Sequence, residues 1–180
     1  YGFTTDVLGL LVGRAAGQPL ETFLGDRLFD PLGMRDTAFH VPKAKRERLA
    51  TAYVTHPKSG KRVVDDHPKQ SKWASPPKVP SASAGLVSTA DDYARFGRML
   101  LAGGKAGRER ILSRKSVALM TADFLTPEQR RMLFMGFDMW AAQGFGLGVS
   151  VKDRLGGQAS LSSVGTYGWG GAYGTFWFND

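Results

Sequence analysis

Tyr167-Gly-Trp-Gly-Gly-Ala-Tyr-Gly-Thr-Phe-Trp-Phe178 is the stretch whose reading decides the rest of this chain. Aromatic residues and Thr favour a pleated, half-buried surface, so the stretch reads as a β-strand. Gly168, Gly170, Gly171 and Gly174 withdraw side chains where a strand normally wants them. Interior glycine of this kind marks a bulge or the close approach of another backbone or of a ligand. On these residues alone two readings stay open: a tightly packed scaffold strand, or the wall of an active site.

Working back from it, Phe145–Val151 alternates well enough to be a strand, and Gly156-Gly157 begins the turn region between the two. Thr126-Pro127-Glu128 has the cap-then-proline pattern of a helix start, and Ser113 can cap a short helix through Thr121. Ala90–Leu101 is an amphipathic helix with Tyr93, Phe96, Met99 and Leu100 facing inward. Thr89 and Asp92 resemble a capping box at its start, and Gly103-Gly104 ends it. At the N-terminus, Thr4 or Thr5 can cap a helix whose buried face is Val7, Leu8, Leu11, Val12 and Ala15. Pro19 starts a second helix, with Leu20, Phe23, Leu24 and Leu28 inward and a break at Asp30–Gly33; the two should pack as a hairpin. Between Phe39 and Ser83 the prolines at 42, 57, 68, 76, 77 and 80 block regular elements, leaving room for short strands around Ala52–Thr55 and Arg62–Asp65. The expected organisation is a helical hairpin over 1–38, an irregular basic segment over 39–83, a helical region over 84–135 and C-terminal strands over 144–180. Helices first and strands last imply an α+β fold, a helical region packed on an antiparallel sheet.

Composition bounds the chemistry. With 42% hydrophobic and 22% charged residues the chain is of ordinary globular type, and 180 residues suffice for one core. It contains no cysteine, which excludes disulfides and thiolate metal sites, and no apolar run long enough to span a bilayer. Most of the net charge of +8 falls between Lys43 and Lys78, without a basic helix stripe or a row of stacking aromatics. This argues for a solvated loop and against a nucleic-acid partner. His40, His56 and His67 lack metal-ligand spacing, and Asp65 and Asp66 would point to opposite faces of an extended chain. No cofactor or metal is implied. Ser75-Pro-Pro-Lys78 formally matches Ser-x-x-Lys, but two successive prolines deny it the helix that would bring lysine to serine.

Several segments together resemble the serine β-lactamase-related, penicillin-binding-protein-like superfamily, in particular class C β-lactamases and family VIII-type carboxylesterases. They are Tyr1–Gly9, Gly17–Leu20, Phe29–Met34, Ala84–Tyr93 with the helix to Leu101, Phe145–Gly148 and Tyr167–Ala172, in the family's order along nearly the whole chain. The resemblance implies acyl transfer: a serine attacks an ester or amide carbonyl, a lysine one helical turn later and a tyrosine manage its proton, and water releases the acyl group. By resemblance Tyr1 is that tyrosine. A phenol with ordinary pKa near 10 serves at neutral pH only beside cations or in concert with the lysine.

Trp169-Gly170-Gly171 falls where the family carries Lys-Thr-Gly on the strand edging the active site, and the Ala172 N–H falls where it carries an oxyanion-hole donor. Trp169 in place of lysine, and Phe3 in place of the asparagine of Tyr-x-Asn, remove polar contacts suited to an anionic β-lactam. A neutral small-molecule ester is therefore the expected substrate; the alternative is an amide substrate, as of a class C-like β-lactamase or a peptidase. Both termini read as cuts through a longer protein. The nucleophilic Ser-x-x-Lys is expected upstream of Tyr1, so the isolated 180 residues are expected to be inactive. A reading of another class, a penicillin-binding-like module without catalysis, would require that motif to be missing from the full-length protein.

Overall fold

The computed structural model describes residues 2–134, 136–156 and 161–180. Two compact units, Tyr1–Phe96 and Gly97–Asp180, divide the chain, and the boundary falls inside a helix. The architecture is α+β: helices together with antiparallel strands.

The first unit opens with α1 (Phe3–Ala16), capped by Gly2 without any side-chain bond, so neither Thr4 nor Thr5 is the cap. Its apolar stripe is not its buried face: Val7, Leu8 and Leu11 are 63%, 55% and 60% exposed. The helix packs instead through Gly9, where a Cβ would stand 2.6 Å from Ala82 Cβ and 2.9 Å from Leu20 Cδ2. Contact this close selects the small residue over the large ones. Asp6 adds a polar tie, accepting from the Ser81 hydroxyl at 2.8 Å and the Ser83 N–H at 3.0 Å.

Gly17, in the left-handed conformation, ends α1, and Pro19 is the cap of α2 (Leu20–Leu24). A π-helical turn (Gly25–Phe29) carries the chain into α3 (Asp30–Leu32), which stops at Gly33 with φ 67°. The wider turn places Phe29 and Leu32 in the core beside Met34 and Phe39. The segment that follows holds a 3-10 helix (Lys43–Arg48) and an antiparallel ribbon of β1 (Ala52–Thr55) and β2 (Arg62–Asp66).

Helix α4 (Ala90–Leu101) begins with half of the expected capping box. The Thr89 hydroxyl accepts from the Asp92 N–H at 3.2 Å. The Asp92 carboxylate does not return to Thr89. It is buried and accepts from the Asp36 N–H at 2.7 Å and the Thr37 hydroxyl at 3.0 Å. Met99 and Leu100 are buried as expected, whereas Tyr93 is 38% exposed.

In the second unit a two-residue ribbon, β3 (Lys105–Ala106) with β4 (Glu109–Arg110), leads to α5 (Arg114–Met120) and α6 (Pro127–Arg130). Ser113 caps α5, and Thr126 with Gln129 forms a complete capping box on α6. The expected strand Phe145–Val151 is a hairpin, because Gly146 and Gly148 turn the chain between β5 (Gln143–Phe145) and β6 (Ser150–Lys152). With β7 (Tyr167–Gly170) and β8 (Phe176–Asn179) they form one antiparallel sheet in the order β5-β6-β7-β8. Buried Asn179 ties the sheet to the end of α4, donating to the Gly97 carbonyl at 3.0 Å and to the Tyr167 hydroxyl at 2.9 Å.

Candidate functional site

The stretch from Tyr167 to Phe178 is two strands, not one. β7 runs to Gly170, the chain reverses through Gly171–Thr175, and β8 returns with Trp169 opposite Trp177 and Gly168 opposite Phe178. Gly174, with φ 74°, supplies the left-handed step, and the Gly171 N–H closes the turn on the Thr175 carbonyl at 2.6 Å. Four glycines would weaken a single strand; distributed over a strand and its turn, they do different work.

Gly168 and Gly170 show the difference. A Cβ on Gly168 would stand 2.0 Å from the Trp177 carbonyl oxygen and 2.7 Å from Phe178 Cα, so this glycine lets the two backbones approach. A Cβ on Gly170 would meet nothing nearer than the Thr175 oxygen at 3.8 Å. β6 pairs only with Tyr167 and Gly168, leaving Trp169 and Gly170 with β8 as their one strand partner among the described residues. The open half of β7 is thus the half that carries Trp169 and Gly170. Ala172 is exposed in the turn, and its N–H makes no hydrogen bond among the described residues, while the N–H groups of Gly171 and Gly174 on either side are used within the turn. An exposed amide without an internal partner can stabilise an oxyanion.

Trp169 belongs to a closed ring of four aromatic side chains. It meets Phe145 edge-to-face at 5.1 Å between centroids and Phe134 at 5.9 Å, and Trp140 meets both Phe134 and Phe145 at 5.9 Å. Edge-to-face geometry places the positive ring edge on the negative ring face and fixes the orientation of each member. Trp140 sits in a 3-10 turn (Met139–Ala141), and Arg130, at the end of α6, holds that turn by donating to the Trp140 carbonyl at 3.2 Å and the Gln143 carbonyl at 3.3 Å.

The same guanidinium pairs with Asp123 and, at 2.6 Å, with Asp153. Its bond to Asp123 raises the Arg130 pKa further. Burial pushes Asp123 upward, but the N–H groups of Leu125 and Phe145 together with Arg130 outweigh it and hold the carboxyl below its ordinary range. Gly144 admits this carboxylate, since a Cβ there would stand 2.2 Å from Asp123 Cγ. In the sequence Phe145 stands out as a strand residue and as the start of a family-like segment, and nothing marks Phe134, Trp140 or Arg130. Their spacing carries no periodic signal, and only the turns of the chain bring them to Trp169.

Of the residues expected at the site, Trp169, Gly170, Gly171 and Ala172 come together on this hairpin. Tyr1 lies outside the described residues. Ser75 is exposed and non-helical, without the geometry that Ser-x-x-Lys chemistry needs. Among the described residues no group of His, Asp and Glu could hold a metal ion, and no helix is long and apolar enough to cross a membrane.

Helices with an antiparallel sheet, in this order and with this glycine-rich hairpin, define the β-lactamase/transpeptidase-like class of folds. The chain belongs to the Beta-lactamase family, whose profile matches residues 1–180. It is 40% identical over 183 residues to Protein Rv1367c of Mycobacterium tuberculosis (strain ATCC 25618 / H37Rv), covering 100% of this chain and 45% of the relative. It is 30% identical over 195 residues to Esterase EstB of Burkholderia gladioli, covering 100% of this chain and 46% of that protein. Among solved structures it matches EstCE1, a hydrolase with promiscuous acyltransferase activity, with a TM-score of 0.75 and 28% identity, over 100% of this chain and 47% of the other. The chain spans about half the length of the curated relatives it matches. The family is Beta-lactamase, and of these neighbours EstB is named an esterase and EstCE1 a hydrolase.

Proposed function

We propose that the full-length protein is a serine hydrolase that cleaves small neutral carboxylic esters through an acyl-enzyme, with the β7–β8 hairpin as one wall of its active site. The observation that carries this reading is the open half of β7: Trp169 locked in an aromatic ring, Gly170 unobstructed, and the Ala172 N–H without a partner among the described residues. An acyl chain laid along this segment meets aromatic surface, which favours apolar groups and offers no cation to a carboxylate. The Ala172 amide donates to the carbonyl oxygen as it becomes an oxyanion, a contact of a kind worth about 3–4 kcal/mol in the transition state. In this reading the nucleophile and its base are a Ser-x-x-Lys pair N-terminal to Tyr1, and Tyr1 relays the proton between them. The names of Esterase EstB and of the hydrolase EstCE1 support the ester over the amide.

The test is a comparison of the full-length protein on a chromogenic short-chain ester and on nitrocefin. Efficient ester turnover with weak or no nitrocefin hydrolysis is expected. The reverse preference would assign a β-lactamase, and no turnover of either, with no Ser-x-x-Lys in the reading frame, would assign a binding module.

A further inference from the structure

The β1–β2 ribbon takes no part in the site above, and its surface is unusual for a solvated loop. Its register pairs Tyr53 with Val64, Val54 with Val63 and Thr55 with Arg62. Paired residues share a face and neighbours along a strand alternate, so Tyr53, Thr55, Arg62 and Val64 lie on one side and Val54 and Val63 on the other. Tyr53 and Val64 are 51% and 52% exposed, and Val54 and Val63 are 39% and 38% exposed. The Tyr53 side is thus the more open of the two, and a two-stranded ribbon standing alone is marginal in water.

The Tyr53 face is also cationic. The Arg62 guanidinium stands 5.4 Å above the centre of the Tyr53 ring, and Lys58 and Lys61 are exposed in the turn at Gly60 that joins the strands. Asp66, the acid at the far end of the ribbon, is buried and accepts from the Lys72 N–H at 3.1 Å, and Asp65 falls where the register shifts between the Tyr53–Val64 and Ala52–Asp66 pairs. Most of the chain's net +8 surrounds the ribbon, between Lys43 and Lys78.

We propose that the Tyr53 face of this ribbon, with Lys58, Lys61 and Arg62, docks on the anionic headgroup surface of a phospholipid bilayer. Tyr53 sits at the headgroup level that aromatic side chains prefer, Val64 enters shallowly beside it, and the cations reach out to lipid phosphates. Polybasic segments beside an anionic leaflet gain attraction with each Lys or Arg. Nucleic acid would use the same cations, but its phosphodiester backbone offers nothing to the exposed Val64 beside them. A flat ribbon offers a folded acidic protein no pocket for an anchoring side chain.

The test is sedimentation of the full-length protein with phosphatidylcholine vesicles and with vesicles that also contain phosphatidylglycerol. Binding only to the anionic vesicles, released by salt, is expected. The double substitution Lys58→Glu and Lys61→Glu should lower partitioning roughly thirtyfold or more. Tyr53→Ser should weaken binding while leaving its salt dependence unchanged. In the unmodified protein, amide exchange over residues 52–66 should slow when anionic vesicles are added. The proposal is overturned if the protein stays in the supernatant, if the charge-reversed form binds equally, or if DNA or an acidic protein retains it while anionic vesicles do not.

Discussion

Replacing Gly168 and Gly170 by alanine separates scaffold from site with one added methyl group. At Gly168 the new Cβ would lie 2.0 Å from the Trp177 oxygen, where real Cβ contacts stay above 3.0 Å, so β8 must move away by about 1 Å or more. That shift opens the ladder around the Gly168–Phe178 pair. Weakening two ladder hydrogen bonds at about 1 kcal/mol each, with the strain of overpacking added, gives a loss of roughly 2–4 kcal/mol. In a protein of about twice this length, as its relatives are, such a loss lowers the melting temperature by roughly 2–5 °C. At Gly170 the nearest atom is 3.8 Å from the new Cβ and φ is not in the left-handed region, so stability should change by less than about 1 kcal/mol, toward stabilisation. Activity should show the opposite order of cause. If substrate lies on β7 as proposed, Gly170→Ala puts a methyl against the acyl chain, and kcat/KM on the chromogenic ester should fall at least tenfold in a protein that melts normally. Thermal melting and steady-state kinetics of the two full-length variants decide the matter. Gly168→Ala melting with the wild type would refute the packing argument, and Gly170→Ala with full activity would refute the placement of substrate on β7.

Further outcomes follow from the same geometry. Trp169→Lys removes two edge-to-face contacts and should cost about 1–3 kcal/mol by denaturant unfolding, while shifting the ratio of ester to nitrocefin turnover toward the β-lactam. Arg130→Met takes the cation from Asp123 and the donor from the Trp140 and Gln143 carbonyls; a loss of about 2–4 kcal/mol and a changed tryptophan emission are expected, since the pair is only about a quarter exposed. Asp36 accepts from Lys45 at 2.5 Å and Arg48 at 2.8 Å, and these bonds, Arg48 first, lower its pKa from 3.8 to about 2. A carboxyl depressed on folding stabilises above its unfolded pKa and loses that contribution as pH falls through the folded value. Wild type should therefore lose more stability than Asp36→Asn between about pH 4 and about pH 2, as read by acid melting curves.

Local chemistry made much of the fold legible in the sequence. The cap residues Ser113 and Thr126, the stop at Gly103, and helix α4 with its bounds follow from side chains acting within a turn of themselves. What escaped were tertiary decisions. The apolar stripe of α1 has the right period, but the close approach of Ala82 and Leu20 selects the face with Gly9. Asp92 has the spacing of a local cap and serves Asp36 and Thr37 more than fifty residues away in sequence. Both glycine-interrupted runs read as strands, Phe145–Val151 by its alternation and Tyr167–Phe178 by its aromatic residues and Thr; the glycines fold each into a hairpin. At the site, Trp169–Ala172 stands out by glycine spacing and by family resemblance. The aromatic ring and the Arg130 centre have no pattern in sequence, since each member comes from a different turn or strand.

The central claim, that this hairpin walls the site of an acyl-transferring serine enzyme, is tested most directly by labelling the full-length protein with a fluorophosphonate and mapping the adduct by peptide mass spectrometry. One adduct is expected, on the serine of a Ser-x-x-Lys motif N-terminal to Tyr1, formed more slowly when the ester substrate is present and in the Gly170→Ala variant. Ester turnover with no adduct, or with the label on a serine outside any such motif, would contradict it.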